Sequence, residues 1–308
     1  MFNLFKEKSS LIDILPKVRG KYKTDEPMKK HTWFAVGGPA EIMYIPADKE
    51  DLSFFMATRS RTIPLCVVGG GSNLLVRDGG IPGVVIKLDS PAFRKYHKDG
   101  DKLTCGAGLK NIDLVSILLK EKCGGLEFLS TIPGTIGGSV KTNAGCYGKE
   151  VKDVIISAEV INDIGEIKEI PVEELQLSYR SSFFPEDWII TALTFRTQPE
   201  QPQTILETIN EMKNKRHKSQ PHNVKTAGST FKNPEGLKAW ELIKKSGCDD
   251  LSIGGAKVSE KHCNFLVNTG NASAKDIEDL GEEIIKRVKE HTAINLEWEV
   301  KRLGIKAE

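Results

Sequence analysis

The sequence predicts an α+β protein built of several lobes, and three observations predict it. Short apolar runs break twice into glycine-rich loops, at Gly69-Gly70-Gly71-Ser72-Asn73 and across residues 131–148. Residues 154–161 and 165–170 alternate around a turn near Asp163-Ile164-Gly165, the pattern of an antiparallel hairpin. After about residue 200 the chain changes to helical periodicity interleaved with short strands.

The chain has 308 residues, more than one ordinary core holds and enough for two or three lobes. Hydrophobic residues make up 39% and charged residues 28%, the mix of a soluble globular protein. A net charge of +2 gives no overall electrostatic case for nucleic acid. No stretch has the apolar length of a signal peptide or a membrane span, so a cytoplasmic protein is expected. None of the six cysteines forms Cys-x-x-Cys, and several sit in apolar runs. Reduced, mostly buried thiols are expected, with no metal site.

Residues 1–30 are polar with little periodicity and read as a helical arm. Residues 41–46 read as a strand, and Asp48 then caps a helix whose apolar positions are Leu52, Phe54, Phe55 and Met56. Strands at 65–68 and 84–88 complete a first lobe. A second lobe opens at 102–106, with a helix whose face is Ile112, Val115, Leu118 and Leu119. The hairpin and a strand at 188–195 belong to it, and Pro199 and Pro202 mark a linker. The third lobe holds a polar helix at 203–219, helices at 237–246 and 273–290, and strands at 263–267 and 296–303. Ser273 caps the last helix, whose stripe is Ile277, Leu280, Ile284, Ile285 and Val288. The resulting boundaries are 1–30, 31–98, 99–200 and 201–308.

A strand that breaks into three glycines leaves bare backbone where something comes close. Successive N–H groups without Cβ atoms form a concave anion site, and Ser72 and Asn73 add side-chain donors. Neither a Rossmann fingerprint nor a Walker A loop fits, and alone the segment also reads as a tight turn. The second loop, Thr-Ile-Pro-Gly-Thr-Ile-Gly-Gly-Ser-Val-Lys-Thr-Asn-Ala-Gly-Cys-Tyr-Gly, favours a ligand. Pro133-Gly134 sets a turn, Gly137-Gly138 permits close approach at a helix start, and Asn143-Ala144-Gly145 is small enough to lie against a planar ring. Two such loops suit one extended ligand with a pyrophosphate and a flat ring system, a dinucleotide.

Several segments in order then carry a resemblance. They are His31-Thr32-Trp33-Phe34-Ala35-Val36-Gly37-Gly38, the two glycine loops, Ser178-Tyr179-Arg180-Ser181-Ser182-Phe183, Ala227-Gly228-Ser229-Thr230-Phe231-Lys232-Asn233-Pro234, Gly254-Gly255 with Ser259-Glu260-Lys261-His262, and Glu299-Val300. Together they resemble the UDP-N-acetylenolpyruvoylglucosamine reductase family nearly end to end. Thr131 and Lys301 depart from the family's usual Gly and Arg. The resemblance implies a two-lobed FAD-binding domain of the vanillyl-alcohol-oxidase type plus a C-terminal α/β substrate lobe. It implies non-covalent FAD held by Gly37, Gly69, Gly70, Gly71, Ser72, Asn73, Ile132, Pro133, Gly134, Thr135, Gly137, Gly138, Asn143, Ala144 and Gly145. NADPH is the implied hydride donor and a nucleotide sugar the implied substrate; separately, no nucleic-acid or membrane partner is expected, and a monomer is expected. The family divides by whether the third lobe carries a lid loop with a substrate-clamping tyrosine; no tyrosine follows Tyr179, so the resemblance implies the shorter type without that loop.

Residues 212–234 carry Lys213, Lys215, Arg216, Lys218, Lys225, Lys232, His217 and His222 without an acid. A helix C-terminus accounts for the first four. Lys225 and Lys232 lie beyond it and favour an anionic substrate. Ser229 has no Gly-x-Ser-x-Gly elbow, which excludes the hydrolase reading and leaves a turn serine. Arg180 alone reads equally as a surface ion pair. Alternation puts Glu297 and Glu299 on one face, so spacing does not choose between them. The resemblance assigns Ser229 as proton donor, Arg180 and Glu299 as the groups that polarise the substrate carboxyl, and Lys232 and Asn233 as substrate-binding. Two other readings remain at this stage: a hydroxy-acid or aldonolactone oxidase of the same FAD-binding fold, and a non-catalytic nucleotide-binding regulator. The first would share the first two lobes but not 229–234, and flavin reduction by a hydroxy acid rather than NADPH would favour it; yellow protein would exclude the second.

Overall fold

A computed structural model describes residues 10–185 and 187–307. Its first sheet runs in the order Lys21–Pro27, Pro39–Ile45, Ile81–Ile86, Leu65–Val67. The first pair is antiparallel, with Lys21 opposite Ile45, and the other pairs are parallel. Asp48 caps the helix Lys49–Thr58 as expected, accepting from the Asp51 N–H at 2.9 Å. Leu52, Phe55 and Met56 are buried against Ile42 and Tyr44, whereas Phe54 is 49% exposed. Four apolar residues within five positions span more than one helical face, so one of them is left outside.

The expected helical arm at 1–30 is corrected for its described part. Residues 10–30 hold a short 3-10 helix, Leu11–Ile14, and then the edge strand Lys21–Pro27. Most of that strand's side chains are exposed or half-buried, so it shows no hydrophobic alternation to read. Residues 1–9 lie outside the described residues.

The second sheet is antiparallel, in the order Ile167–Pro171, Ile155–Ile161, Ile189–Arg196, Lys102–Gly106, Tyr96–Asp99. The hairpin pairs Ile161 with Ile167, as its turn implied. The helix Leu114–Glu121 buries Leu114, Ile117 and Leu118. Ile112 sits in the preceding 3-10 turn and is 53% exposed, so the expected face is corrected by rotation toward Leu114 and Ile117. The helix Pro202–Ser219 also packs here: Ile205 and Ile209 join Leu118, Phe128 and Phe195 in one core. The change near residue 200 therefore marks a helix start within the second lobe. The next lobe begins near 220.

That lobe contains the sheet Ser252–Ile253, Ala256–Val258, Leu266–Asn268 and the helices Ala239–Lys245 and Ala274–Thr292. Ser273 caps the last helix with a reciprocal capping box. The expected strand at 296–303 is shorter, Lys301–Leu303, and it pairs in parallel with Leu74–Val76 of the first lobe. Phe34, Val36 and Leu75 share a core with Ile277, Leu280 and Ile284. Glu278, almost fully buried, receives Arg77 at 2.9 Å and Arg302 at 3.1 Å. The carboxylate of Asp78 accepts from the Ala274 and Lys275 N–H groups at the start of the last helix. The first and third lobes are thus locked together beneath the first glycine loop. Among the described residues no helix is long and apolar enough to cross a membrane.

Candidate active site

The strand Leu65–Val67 ends at the parallel sheet's carboxyl edge, where open α/β sheets bind ligands. The loop 69–73 leaves from there and meets the second glycine loop directly. Ser72 Oγ donates to the Pro133 carbonyl at 2.9 Å. A Cβ on Gly70 would lie 2.8 Å from Gly134 Cα, and one on Gly71, at φ +67°, would lie 1.8 Å from the His31 carbonyl oxygen. The two glycines therefore serve contact between protein segments. Gly37, at φ +121°, likewise packs on Val76. Gly138 differs: a Cβ there meets only Thr135 Oγ1, at 3.4 Å. Gly138 is exposed in the first turn of the helix Ile136–Lys141, which Thr135 caps.

Among the described residues, no backbone N–H in 69–73 donates to a protein acceptor, nor do those of Gly134 and Thr135. Backbone donors inside a fold are normally paired. Here a run of them is left for an external acceptor, which is what a phosphate-bearing ligand supplies.

The turn 178–181 carries Tyr179 and Arg180. Ser178 and Ser181 exchange backbone hydrogen bonds at 3.0 and 3.1 Å. Arg180 takes φ +55°, a left-handed conformation costly for a residue with a Cβ and typical of functional sites. Asn143 holds this turn in place. It is fully buried, donates to the Ser178 carbonyl at 2.9 Å and to Glu150 at 3.1 Å, and accepts from the Lys152 N–H. Its side chain is therefore turned into the protein and is not what would face a planar ligand. Gly145 is in contact with Arg180, since its carbonyl accepts from Arg180 Nη2 at 3.5 Å. The buried Ala144 donates its N–H to the Ser139 carbonyl. The Ile132 carbonyl accepts from Asn111, and Gly137 donates to Ala107, so both brace the loop.

Arg180 Nε lies 2.7 Å from Glu299 Oε1. Among the described residues that buried nitrogen makes no well-aligned hydrogen bond, so the pair is held by charge and the donor direction is unspent. Burial pushes the Glu299 carboxyl above its ordinary value, and the Arg180 charge opposes that shift. Asn73 Nδ2 donates to the Glu299 carbonyl at 3.2 Å, and the Asn73 carbonyl accepts from Lys301 N–H. The glycine loop thus holds the backbone that carries the Glu299 carboxylate. No sequence signal finds this contact, because 226 residues separate the partners.

Ser229 and Glu299 sit on adjacent backbone segments. Phe231 bridges Trp298, and the Glu299 and Lys232 N–H groups donate to Thr230 and Glu297 carbonyls at 2.8 Å. Residues 297–300 are not a regular strand, and alternation fails there. Glu299 is 17% exposed beside Arg180, while Glu297 is 70% exposed and pairs with Lys232 at 3.1 Å. Asn233 Oδ1 caps the next helix through the Ala239 N–H, leaving its amide nitrogen free of that bond. Its own N–H donates to the Tyr179 hydroxyl at 3.4 Å, a bridge between lobes that sequence reading missed.

The arrangement brings a phosphate-suited cradle, an arginine–carboxylate pair and a serine to one junction. Comparison with known proteins places the chain among flavin-binding relatives. Residues 40–171 match the family model of an FAD binding domain, and residues 220–303 match the C-terminal domain of UDP-N-acetylenolpyruvoylglucosamine reductase. The UDP-N-acetylenolpyruvoylglucosamine reductase of Paramagnetospirillum magneticum is 48% identical over 96% of this chain and 95% of its own length. That of Novosphingobium aromaticivorans is 48% identical over 93% and 97%.

The chain belongs to the UDP-N-acetylenolpyruvoylglucosamine reductase family.

A crystal structure of the UDP-N-acetylenolpyruvylglucosamine reductase of Thermus caldophilus superposes with a TM-score of 0.79, at 35% identity, over 94% of this chain and all of that one. The FAD that this family's fold implies fits the residues present. The unpaired N–H groups of 69–73 and 134–135 suit its pyrophosphate, and the open surface at Gly138 leaves room beside them.

Proposed function

We propose that this protein catalyses the NADPH-dependent, FAD-mediated reduction of UDP-N-acetylglucosamine enolpyruvate to UDP-N-acetylmuramate, a step of peptidoglycan precursor synthesis. The observation that carries the residue assignment is the Arg180–Glu299 pair at the junction of the two loops, one backbone segment away from Ser229. FAD, when bound, supplies a hydride taken from NADPH.

The enol ether bears a carboxylate, and hydride addition at its terminal carbon sends negative charge onto that group. Arg180 supplies a fixed planar cation for the charge, its buried Nε making no well-aligned hydrogen bond among the described residues. Glu299, raised by burial, takes a proton readily and in that form donates to the carboxylate. Ser229 gives a proton to the adjacent carbon as general acid. Lys232 and Asn233 contact the substrate's polar groups from the same loop. Residues 69–73 and 132–138 hold the cofactor.

The reaction runs in the cytoplasm in this reading, with the protein as a monomer; its six free cysteines suit a reducing compartment. The test is spectroscopic. Purified protein carries the absorbance of oxidised flavin, NADPH bleaches it, and the enolpyruvyl nucleotide sugar restores it. Protein that binds no flavin, or whose reduced flavin is not reoxidised by that substrate, overturns the proposal.

A further inference from the structure

Beside the first glycine loop lies a group of charged residues that none of the roles above uses. Lys87 follows the strand Ile81–Ile86 at the same carboxyl edge. The Val68 N–H donates to the Ile86 carbonyl at 2.9 Å, so Lys87 sits next to the last residue before Gly69. Its Nζ lies 3.1 Å from Nδ1 of His31. The other ring nitrogen, Nε2, lies 2.8 Å from Glu26 Oε1. An ammonium has only donors, so Nδ1 accepts and Nε2 carries the proton to Glu26. The imidazole is neutral in this arrangement, and burial does hold its pKa down. His31 is also the residue whose carbonyl abuts Gly71, and the Gly71 carbonyl accepts from Trp33 N–H at 3.0 Å. One residue therefore touches both the loop backbone and the lysine.

Lys87 is half-buried, and burial lowers its pKa. Among the described residues no carboxylate forms an ion pair with it; Asp89 is nearby but pairs with Arg94. Glu26 reaches it only through the His31 ring, and the other charges around it, Lys23, Arg94 and Lys110, are also cations. A desolvated cation among cations is costly without a counter-charge. The counter-charge it lacks is the one that the unpaired N–H groups of the neighbouring loop also lack.

We propose that Lys87 is a cofactor-binding residue of this chain, its ammonium set against the pyrophosphate of the bound flavin dinucleotide, with His31 and Glu26 as the positioning pair. The proposal rests on the FAD-dependent reading above. Two of the three ammonium donors remain after the bond to His31, enough to reach an anion without breaking the pair.

The test uses apoprotein stripped of flavin and titrated with FAD, ADP and riboflavin, followed by flavin fluorescence and, for ADP, by displacement of FAD. Lys87→Met weakens FAD and ADP roughly ten- to a hundredfold, the range for losing one charged hydrogen bond, and leaves riboflavin affinity unchanged. Lys87→Arg stays near wild type, since it keeps the charge. His31→Phe, which removes the acceptor, weakens FAD by a smaller factor. Raising ionic strength weakens FAD binding by the wild type more steeply than by Lys87→Met. FAD and ADP affinities equal to wild type in Lys87→Met overturn the proposal. So does an equal loss for riboflavin, which marks a structural lysine. If Lys87→Met does not fold, Lys87→Gln carries the same comparison. Wild-type apoprotein that fails to take up FAD sinks the functional reading instead, which keeps the two failures apart.

Discussion

Arg180 and Glu299 meet across the second and third lobes, with Nε 2.7 Å from Oε1. Each is positioned from elsewhere. Asn143 fixes the turn bearing Arg180, and Asn73 holds the backbone of Glu299. Both asparagines lie in the glycine-rich loops, so the segments suited to the cofactor also set the distance between the groups suited to the substrate.

Arg180→Lys separates the two half-reactions. A point charge does not reproduce the planar fork on a carboxylate. Reduction by NADPH stays near normal, and reoxidation by substrate slows roughly a hundred- to a thousandfold, the range for losing one preorganised donor. Stopped-flow absorbance measures both steps. Slow bleaching with normal reoxidation removes Arg180 from the substrate side.

Glu299 predicts a pH dependence. Its carboxyl sits above the ordinary value because of burial. It is protonated below its folded pKa and ionised above it. An ionised Glu299 repels the incoming substrate carboxylate, so KM for the enolpyruvyl substrate rises as pH climbs through that raised value. Glu299→Gln flattens this limb. The same limb persisting in Glu299→Gln assigns it to another group.

Two glycine substitutions distinguish packing from cofactor contact. Gly71→Val places a Cβ against the His31 carbonyl in a left-handed backbone. It lowers Tm sharply and loses flavin together with the fold. Gly138→Ala meets only Thr135 Oγ1 at 3.4 Å, so the protein stays folded. If the cofactor covers this face, FAD affinity falls while Tm of the apoprotein is unchanged. Unaltered FAD affinity in Gly138→Ala moves the ligand away from this turn.

The junction of the first and third lobes has its own test. Glu278→Ala leaves Arg77 and Arg302 without their shared carboxylate. The loss is on the order of 2 kcal/mol, less than for fully buried pairs because both arginines keep some water contact. The two arginines hold the Glu278 pKa down, so its contribution is present above the ordinary carboxylate value and is lost as pH falls through the lowered one. Denaturation of Glu278→Ala and wild type at neutral and acid pH measures this. The gap between them closes at the acid end.

What was legible in the sequence follows what periodicity and glycine chemistry encode. Asp48 and Ser273 cap their helices, the hairpin closes with Ile161 opposite Ile167, and the two glycine loops meet. Edge strand Lys21–Pro27 escaped because exposed positions carry no alternation. Helix Pro202–Ser219 was given to the wrong lobe because only Ile205 and Ile209 are fully buried, too few to show which core they enter. Glu297 and Glu299 were not separable by spacing, since the segment is irregular and sets them apart by tertiary contacts. The roles of Asn143, Asn73 and Lys87 depend on partners tens to hundreds of residues away, which no local pattern records.

Ser229 gives the sharpest separation. It stands one residue from Thr230, whose carbonyl receives the Glu299 N–H at 2.8 Å, so its place in the site is fixed through backbone bonds that an alanine keeps. Ser229→Ala therefore leaves folding, FAD binding and the Arg180–Glu299 pair intact. NADPH bleaches the flavin at a near-normal rate. The reduced flavin then persists when substrate is added, with reoxidation slowed by about a hundred- to ten-thousandfold, the usual worth of a general acid. Ser229→Cys, which keeps an ionisable proton at the same position, recovers part of the rate. Running the wild-type reaction in deuterium oxide places one deuterium on the carbon that bears the ether oxygen. An unchanged reoxidation rate in Ser229→Ala, or slow bleaching by NADPH, makes Ser229 a structural or cofactor-side residue.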